Sequence, residues 1–142
     1  MATPDTAAQA TAQRFYDAVN HIMQGNAAPM LALWSARDDV TYLDPRGTIH
    51  RGRQALIAYW ERAAAANRGA PGAIVATPEH LRLHVSGHLL CTVTVEHIQI
   101  MRDDTPTQHR ARATNLFREE DGHWRMIHRH SEPTVELDAP ST

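Results

Sequence analysis

The spacing of apolar residues changes once along the chain, from a helical period to a strand period. Up to about residue 67 the apolar residues recur every three or four positions, and from about residue 74 they alternate with polar ones. The first spacing is typical of amphipathic helices and the second of half-buried strands. A chain ordered in this way is expected to form an α+β domain, with helices covering one face of a curved antiparallel sheet.

Glycine, proline and acidic residues mark the boundaries of the predicted elements. Gly25 and Gly69 follow helical runs, and Gly87 and Gly122 separate alternating runs. We expect helices at residues 6–24, 28–35 and 53–67, and short strands at 40–43 and 48–51. Four longer strands are expected at residues 74–85 (interrupted near Pro78), 89–101, 110–118 and 124–131, with a turn at residues 103–106.

The composition is that of an ordinary globular domain. The chain has 142 residues, of which 42% are hydrophobic and 21% charged, and a net charge of −2. We expect one domain over residues 1–132 and a polar tail over 133–142. The charge gives no general attraction to nucleic acid or to a membrane surface. Because residues 1–13 lack the apolar segment of a secretion signal, a cytoplasmic location is expected.

The sequence lacks the residues that several kinds of catalytic chemistry require. The 14 basic residues are all arginine, so there is no lysine for a Schiff base or for a phosphate-binding loop. Cys91 is the single cysteine, which excludes an internal disulfide and a cysteine-based zinc site. No G-x-S-x-G sequence occurs to support a serine nucleophile. The sequence therefore predicts no cofactor.

Asp44 is the first candidate for chemistry, because it follows an apolar strand and precedes Pro45. A carboxylate at such a strand end can face a pocket, where desolvation would raise its pKa and make it a general base. The alternative is that Asp44 only shapes the turn, since aspartate before proline is common turn chemistry. The spacing leaves both interpretations open.

Asn115 is a candidate because it shares one strand face with apolar neighbours. Ala111, Ala113, Asn115 and Phe117 alternate with residues of the opposite face. An amide in this wall could donate a hydrogen bond to a ligand carbonyl or an enolate oxygen. A core asparagine satisfied by the backbone is an equally good interpretation.

His128 and His130 are two residues apart on a predicted strand, so they are expected on one face. Such a pair can bind a metal if a third ligand comes from elsewhere, but a polar network is the more usual role. We predict no metal ligands.

Phe15 and Tyr16 are adjacent, so only one is expected to point into the core. The candidate ligand-binding residues are Phe15, Trp34, Tyr42, Tyr59, Trp60, Phe117, His128 and His130.

Six segments carry a resemblance to known proteins. Residues 13–16 (QRFY), 30–34 (MLALW), 43–47 (LDPRG) and 51–56 (RGRQAL) resemble the ketosteroid isomerase and nuclear transport factor 2 pattern. Residues 113–118 (ATNLFR) and 121–131 (DGHWRMIHRHS) resemble the SnoaL-like branch, and also the association domain of calcium/calmodulin-dependent kinases. The resemblance implies a cone-shaped fold, with three N-terminal helices packed on a strongly curved, mostly antiparallel sheet. It also implies a homodimer packed through that sheet.

The resemblance also implies roles for particular residues. Asp44 matches the proton-shuttling aspartate of a D-P-x-G turn. The isomerase tyrosine aligns with Phe15, next to Tyr16, and the late-strand aspartic acid aligns with Asn115. These matches imply an isomerase or polyketide cyclase-like enzyme that transfers a proton next to a carbonyl of an apolar ligand. Asp44 would be the base, and Asn115 and Tyr16 would stabilise the oxyanion. The alternative is a non-catalytic small-molecule-binding or dimerisation module.

Overall fold

Three helices and six strands make up the protein in a computed structural model that describes residues 4–68, 74–102 and 105–134. The helices are α1 (Pro4–Met23), α2 (Ala28–Leu33) and α3 (Arg53–Ala66). The strands are β1 (Thr41–Leu43), β2 (Ile49–Arg51), β3 (Ile74–Ser86), β4 (Leu89–Arg102), β5 (Thr105–Glu120) and β6 (His123–Pro133). None of the described helices is both long and apolar enough to cross a membrane.

All six strands belong to one sheet, in the order β2-β1-β6-β5-β4-β3. Every neighbouring pair is antiparallel except β1 and β6, which run parallel. The helices pack on one face of this curved sheet, which we call the inner face. The predicted α+β class and the mostly antiparallel, curved sheet are confirmed.

The long helix α1 buries a wide arc of its surface, because it contacts β3, α2 and α3. Phe15 and Tyr16 are both buried, and their rings meet edge to face at 5.0 Å. The expectation that only one of them reaches the core is wrong. Successive helix positions are about 100° apart, and an arc enclosed by three elements is wide enough for both side chains.

The chief differences from the predicted strands are in β3 and β5. β3 runs through Pro78, and its pairing with β4 is irregular only between Glu79 and Arg82. Because β3 is at the sheet edge, the missing N–H of Pro78 interrupts no further strand. β5 begins at Thr105, so Pro106 pairs with Met101 instead of ending the strand. The predicted turn residues 69–73 and 103–104 and the tail residues 135–142 lie outside the described residues.

A bulge in β6 decides which of its residues face inwards. Phe117 pairs with Met126 while Leu116 pairs with His128, so Ile127 is one extra residue on β6. The alternation of faces therefore changes at Ile127. Met126 before the bulge and Arg129 after it are both buried on the inner face.

The start of α3 depends on a glycine. Gly52 has a φ of 89°, and a Cβ there would lie 3.0 Å from Oδ1 of Asp38. The same Oδ1 accepts the backbone N–H of Arg53 at 3.0 Å. The Arg53 guanidinium donates in turn to the backbone oxygens of Leu31 and Trp34 at 2.8 and 3.2 Å. These contacts fix α3, which carries Tyr59 and Trp60, against the end of α2.

Candidate functional site

A cavity of ≈ 240 Å³ lies between α1, α3 and the inner face of the sheet. Its walls are mostly apolar, and the charged side chains of Glu96 and Arg129 form its floor. We call it the central cavity. Its apolar and aromatic lining includes Val19, Tyr42, Tyr59, Trp60, Ala76 and Ile98.

The floor of the central cavity is a buried ion pair between β4 and β6. Two nitrogens of the Arg129 guanidinium donate to the two carboxylate oxygens of Glu96, each at 2.8 Å. Both side chains are almost fully buried, at 7% and 5% side-chain exposure. Arginine pairs most strongly with a carboxylate when two nitrogens of its planar guanidinium each donate to one carboxylate oxygen.

Three further side chains complete this network. The Tyr16 hydroxyl donates to Oε2 of Glu96 at 2.8 Å, and Arg129 also donates to Oδ1 of Asn115 at 3.1 Å. The guanidinium carbon of Arg129 lies 4.7 Å from the centre of the Phe15 ring. A cation over an aromatic face gains electrostatic attraction from the ring. The network therefore joins α1, β4, β5 and β6.

The ion pair keeps its charges despite its burial. Burial alone raises the pKa of Glu96, but the charge and hydrogen bonds of Arg129 and the bond from Tyr16 outweigh it and lower that pKa. Burial lowers the pKa of Arg129, yet Glu96 holds it well above its ordinary value. Burial, then the charge of Glu96, raises the pKa of Tyr16. Tyr16 therefore stays protonated and acts as a donor.

Aromatic rings form one wall of the central cavity. Tyr42 and Trp60 stack with centres 5.5 Å apart and planes 6° apart. Tyr59 meets both of them edge to face, at 4.9 and 4.8 Å. Offset and edge-to-face contacts are the favoured geometries of aromatic pairs. These contacts hold the three rings of the wall in place beside the cavity.

Asp44 is buried, but it does not line the central cavity. Its Oδ1 accepts the backbone N–H groups of Arg46 and Thr48 at 2.9 and 3.0 Å, and its Oδ2 lies 2.9 Å from Nε2 of His50. It borders two open grooves instead. Pro45 and Tyr59 line both the cavity and one of these grooves, so they separate Asp44 from the cavity.

The expected rise in the pKa of Asp44 is not what its surroundings produce. Burial does raise that pKa, but the bond from His50 and the backbone bonds from Thr48 and Arg46 outweigh it, and the net pKa lies below its usual value. Three donors to the ionised form stabilise it more than desolvation destabilises it. The carboxylate is consequently a weak base that holds its own turn together.

The two histidines of β6 do not reach the central cavity. His128 and His130 face the opposite side of the sheet, which we call the outer face. Nδ1 of His128 lies 2.6 Å from Oγ1 of Thr41, and burial followed by the charge of His130 lowers the pKa of His128. Within residues 4–68, 74–102 and 105–134, no cluster of three potential ligands could hold a metal ion.

The other predicted site residues divide into two groups. Tyr16, Tyr42, Tyr59 and Trp60 line the central cavity. The remaining ones are buried in the core or in the network beneath the cavity, and these are Phe15, Trp34, Asn115 and Phe117. The structure thus brings four of the predicted residues together around a charged pair that the sequence patterns did not identify.

The sequence patterns did not identify Glu96 or Arg129, although Glu96 leaves a signal. Glu96 is a charged residue at a position that alternates with Leu90, Thr92 and Thr94 on one strand face, where burial is expected. A lone carboxylate on a buried face requires a partner. Arg129 gives no such signal, because strict alternation from Met126 would put it on the outer face of β6.

Removing one member of the buried ion pair should lower the free energy of unfolding far more than removing both members. We expect Arg129→Met to lower the free energy of unfolding by about 3–5 kcal/mol, because it leaves Glu96 charged and buried. The double variant Glu96→Leu/Arg129→Met should lose much less. Urea unfolding followed by circular dichroism measures both.

The matched control for this prediction is the exposed pair of Arg112 and Glu132. Arg112→Met should cost about 1 kcal/mol or less, because solvent screens that pair. Equal losses from Arg112→Met and Arg129→Met would contradict a special role for the buried pair.

The lowered pKa of Asp44 predicts an acid-dependent contribution to stability. A carboxyl group that binds its proton more weakly when folded stabilises the fold above its unfolded pKa, near 3.8, and loses this contribution as the pH falls through the folded value. The stability difference between wild type and Asp44→Asn should therefore be largest near neutral pH and shrink below about pH 5. Urea midpoints at successive pH values measure it, and a difference independent of pH would refute the assignment.

Comparisons with known proteins place this geometry in a family. The SnoaL-like domain profile matches residues 9–136. An association domain assigned to a calcium/calmodulin-dependent protein kinase type II of Thiobacillus denitrificans is 25% identical, covering 89% of this chain and 94% of that chain with a TM-score of 0.72. No curated protein matches the sequence.

Two further solved structures share the fold at lower identity. A protein of Streptomyces avermitilis assigned as a dehydratase of the NTF2-like family is 21% identical, covers 94% of this chain and 99% of that chain, and has a TM-score of 0.76. A protein of Shewanella frigidimarina assigned as a ketosteroid isomerase is 20% identical, covers 90% and 96%, and has a TM-score of 0.69. Because the SnoaL-like profile spans nearly all of the chain, the protein belongs to the SnoaL-like domain family.

Proposed function

We propose that this chain binds a small, mainly apolar molecule in the central cavity. The observation that carries the proposal is the cavity itself, ≈ 240 Å³ between helices and sheet, with mainly apolar walls and a few polar side chains in its lining. This combination is characteristic of small-molecule sites. A volume of that size corresponds to about eight water molecules at roughly 30 Å³ each, which suits a compact ring compound.

The ion pair favours binding of an uncharged ligand over a strongly charged one. Arg129 and Glu96 neutralise each other, so the floor of the cavity has no net charge from this pair. A charged ligand would lose its hydration without gaining a free counter-charge there. The stacked pair of Tyr42 and Trp60 offers the apolar contact that such a ligand needs.

Proton transfer by Asp44 next to a carbonyl is the function that the isomerase resemblance implies. Its support is weaker than that for binding, because the carboxylate already accepts bonds from Arg46, Thr48 and His50. A general base also needs a pKa near the working pH, and the pKa of Asp44 is lowered instead. These contacts favour the non-catalytic alternative for this chain.

Filling the central cavity should abolish binding without unfolding the domain. Ala76 is buried and lines the cavity, so Ala76→Leu places a larger side chain in the space for the ligand. We expect wild type to bind indane in a calorimetric titration and Ala76→Leu to bind it at least tenfold more weakly.

The matched control lies one residue away on the same strand. Val75 is 45% exposed on the outer face, so Val75→Leu should bind indane as wild type does. Circular dichroism shows whether each variant is folded. Undetectable binding of indane to wild type, or equal binding to both variants, would overturn the proposal.

Self-association through the outer face is a second candidate function, and one specific observation favours it. The outer faces of β3 and β4 expose the large apolar side chains Val75, Leu89, Val93 and Met101. Several exposed apolar side chains on one sheet face are consistent with an interaction surface. The similar protein of Thiobacillus denitrificans is assigned as an association domain, which supports the same proposal.

A charge on the outer face of β4 should prevent this association. Val93 is 42% exposed there, and Val93→Glu would bury a carboxylate in any interface that covers it. We expect a dimer for wild type and a monomer for Val93→Glu in sedimentation equilibrium. Val85 is 39% exposed but pairs with the inner-face residue Leu90, so Val85→Glu should remain dimeric. A monomeric wild type, or a dimeric Val93→Glu, would rule the candidate out.

A further inference from the structure

We infer that a groove between α3 and the turn from β1 to β2 binds a phosphomonoester, whose phosphate group is held by the guanidinium groups of Arg46 and Arg62. We call it the side groove. Its volume is ≈ 610 Å³, and Asp44 borders it. Pro45 and Tyr59 line both the side groove and the central cavity. The side groove is therefore a second site, and its ligand differs in charge from the one proposed for the cavity.

One side of the side groove is a stripe along α3. Tyr59, Arg62, Ala63 and Ala66 line it, and their spacing places them on one face of the helix. The two alanines are small, so they leave space beside Arg62 for a ligand. The α3 positions three and four residues away from Arg62 hold alanine or tyrosine. The helix therefore offers Arg62 no acidic partner at the spacing that forms ion pairs.

The opposite side of the side groove is the turn between β1 and β2. This turn contributes Arg46 and Thr48 to the lining. Arg46 and Arg62 are both exposed, and neither guanidinium makes a hydrogen bond or an ion pair with any residue that the structure describes. The hydroxyl of Thr48 also makes no hydrogen bond within the described part of the chain. Two cations and a hydroxyl are thus available to a ligand in the groove.

The charge of the lining is positive. Among the described residues that line the side groove, Asp44 is the one acid. It is 8% exposed, and its oxygens are already held by the backbone N–H groups of Arg46 and Thr48 and by His50. Two guanidinium charges therefore face one buried and fully bonded carboxylate. A groove with an excess of one sign of charge concentrates ligands of the opposite sign.

A phosphomonoester fits this set of donors better than a carboxylate does. It has three terminal oxygens and a charge of about −1.5 to −2 near pH 7. Donors from two separate elements can therefore each bond a different oxygen, whereas a carboxylate has one charge and two oxygens. Arginine is also well suited to phosphate, because its planar guanidinium can donate two parallel hydrogen bonds. Tyr59 and the two alanines then contact the apolar part of the ester.

The test is a calorimetric titration with phenyl phosphate at low ionic strength, where charge attraction is least screened. We expect wild type to bind it. Arg46→Gln and Arg62→Gln should each weaken binding about threefold to tenfold, the range for loss of one partly solvated ionic contact. The double variant should show no detectable binding. Both arginines are exposed, so these variants are expected to fold, and circular dichroism checks that they do.

Arg51 provides the matched control. It is exposed on β2, its guanidinium has no partner among the described residues, and it does not line the side groove. Arg51→Gln removes the same charge as the other two substitutions, so it reports the general effect of net charge. Binding of phenyl phosphate to Arg51→Gln should equal that of wild type.

Three outcomes would overturn the inference. The first is no binding of phenyl phosphate to wild type, and the second is an equal loss from Arg51→Gln, Arg46→Gln and Arg62→Gln. The third concerns benzoate, which carries a carboxylate on the same ring and should bind at least tenfold more weakly than phenyl phosphate. Equal or tighter binding of benzoate would refute the assignment of a phosphate. Titration of the same variants with indane measures the central cavity separately, so failure of the side groove leaves the proposed function standing.

Discussion

The buried ion pair between Glu96 and Arg129 is the interaction on which the inner face of the sheet depends. Two charges removed from water are tolerated only when each is matched in geometry and bonded further, and Tyr16 and Asn115 provide those further bonds. The pair spans β5, since its two residues are on β4 and β6. It therefore fixes the positions of β4 and β6 relative to α1. The shape of the cavity above the ion pair depends on that arrangement.

The bulge at Ile127 makes this pair possible. Under strict alternation, the buried Met126 would put His128 and His130 on the inner face, and Arg129 would point away. One extra residue exchanges the faces, so a guanidinium enters the core while the imidazoles lie outside. A single backbone irregularity thus decides which chemistry the cavity contains, and bulges commonly re-aim side chains in this way.

The element order, the fold class and most strand limits could be predicted from the sequence, because hydrophobic period and turn residues are local signals. The inner face of β5 was equally predictable, since Ala113, Asn115 and Phe117 follow an uninterrupted alternation and are all buried. The β6 side of the site was not predictable. The bulge depends on how β6 pairs with β5, and tertiary packing sets that pairing. The residues around Ile127 give no local signal of a bulge. The interpretation of the two histidines as cavity residues is wrong for that reason.

Asp44 illustrates a different limit, because its position was predicted well and the direction of its pKa shift was not. The sequence placed a buried carboxylate at the end of β1, and the residue is 8% exposed there. Burial alone would raise its pKa, but the backbone of the turn and His50 supply donors to the carboxylate that reverse the shift. His50 adds the strongest of these opposing contributions from β2, six residues further on. A carboxylate in a turn has a raised pKa only where the backbone N–H groups of the turn do not donate to it. In this chain the N–H groups of Arg46 and Thr48 both donate to Asp44.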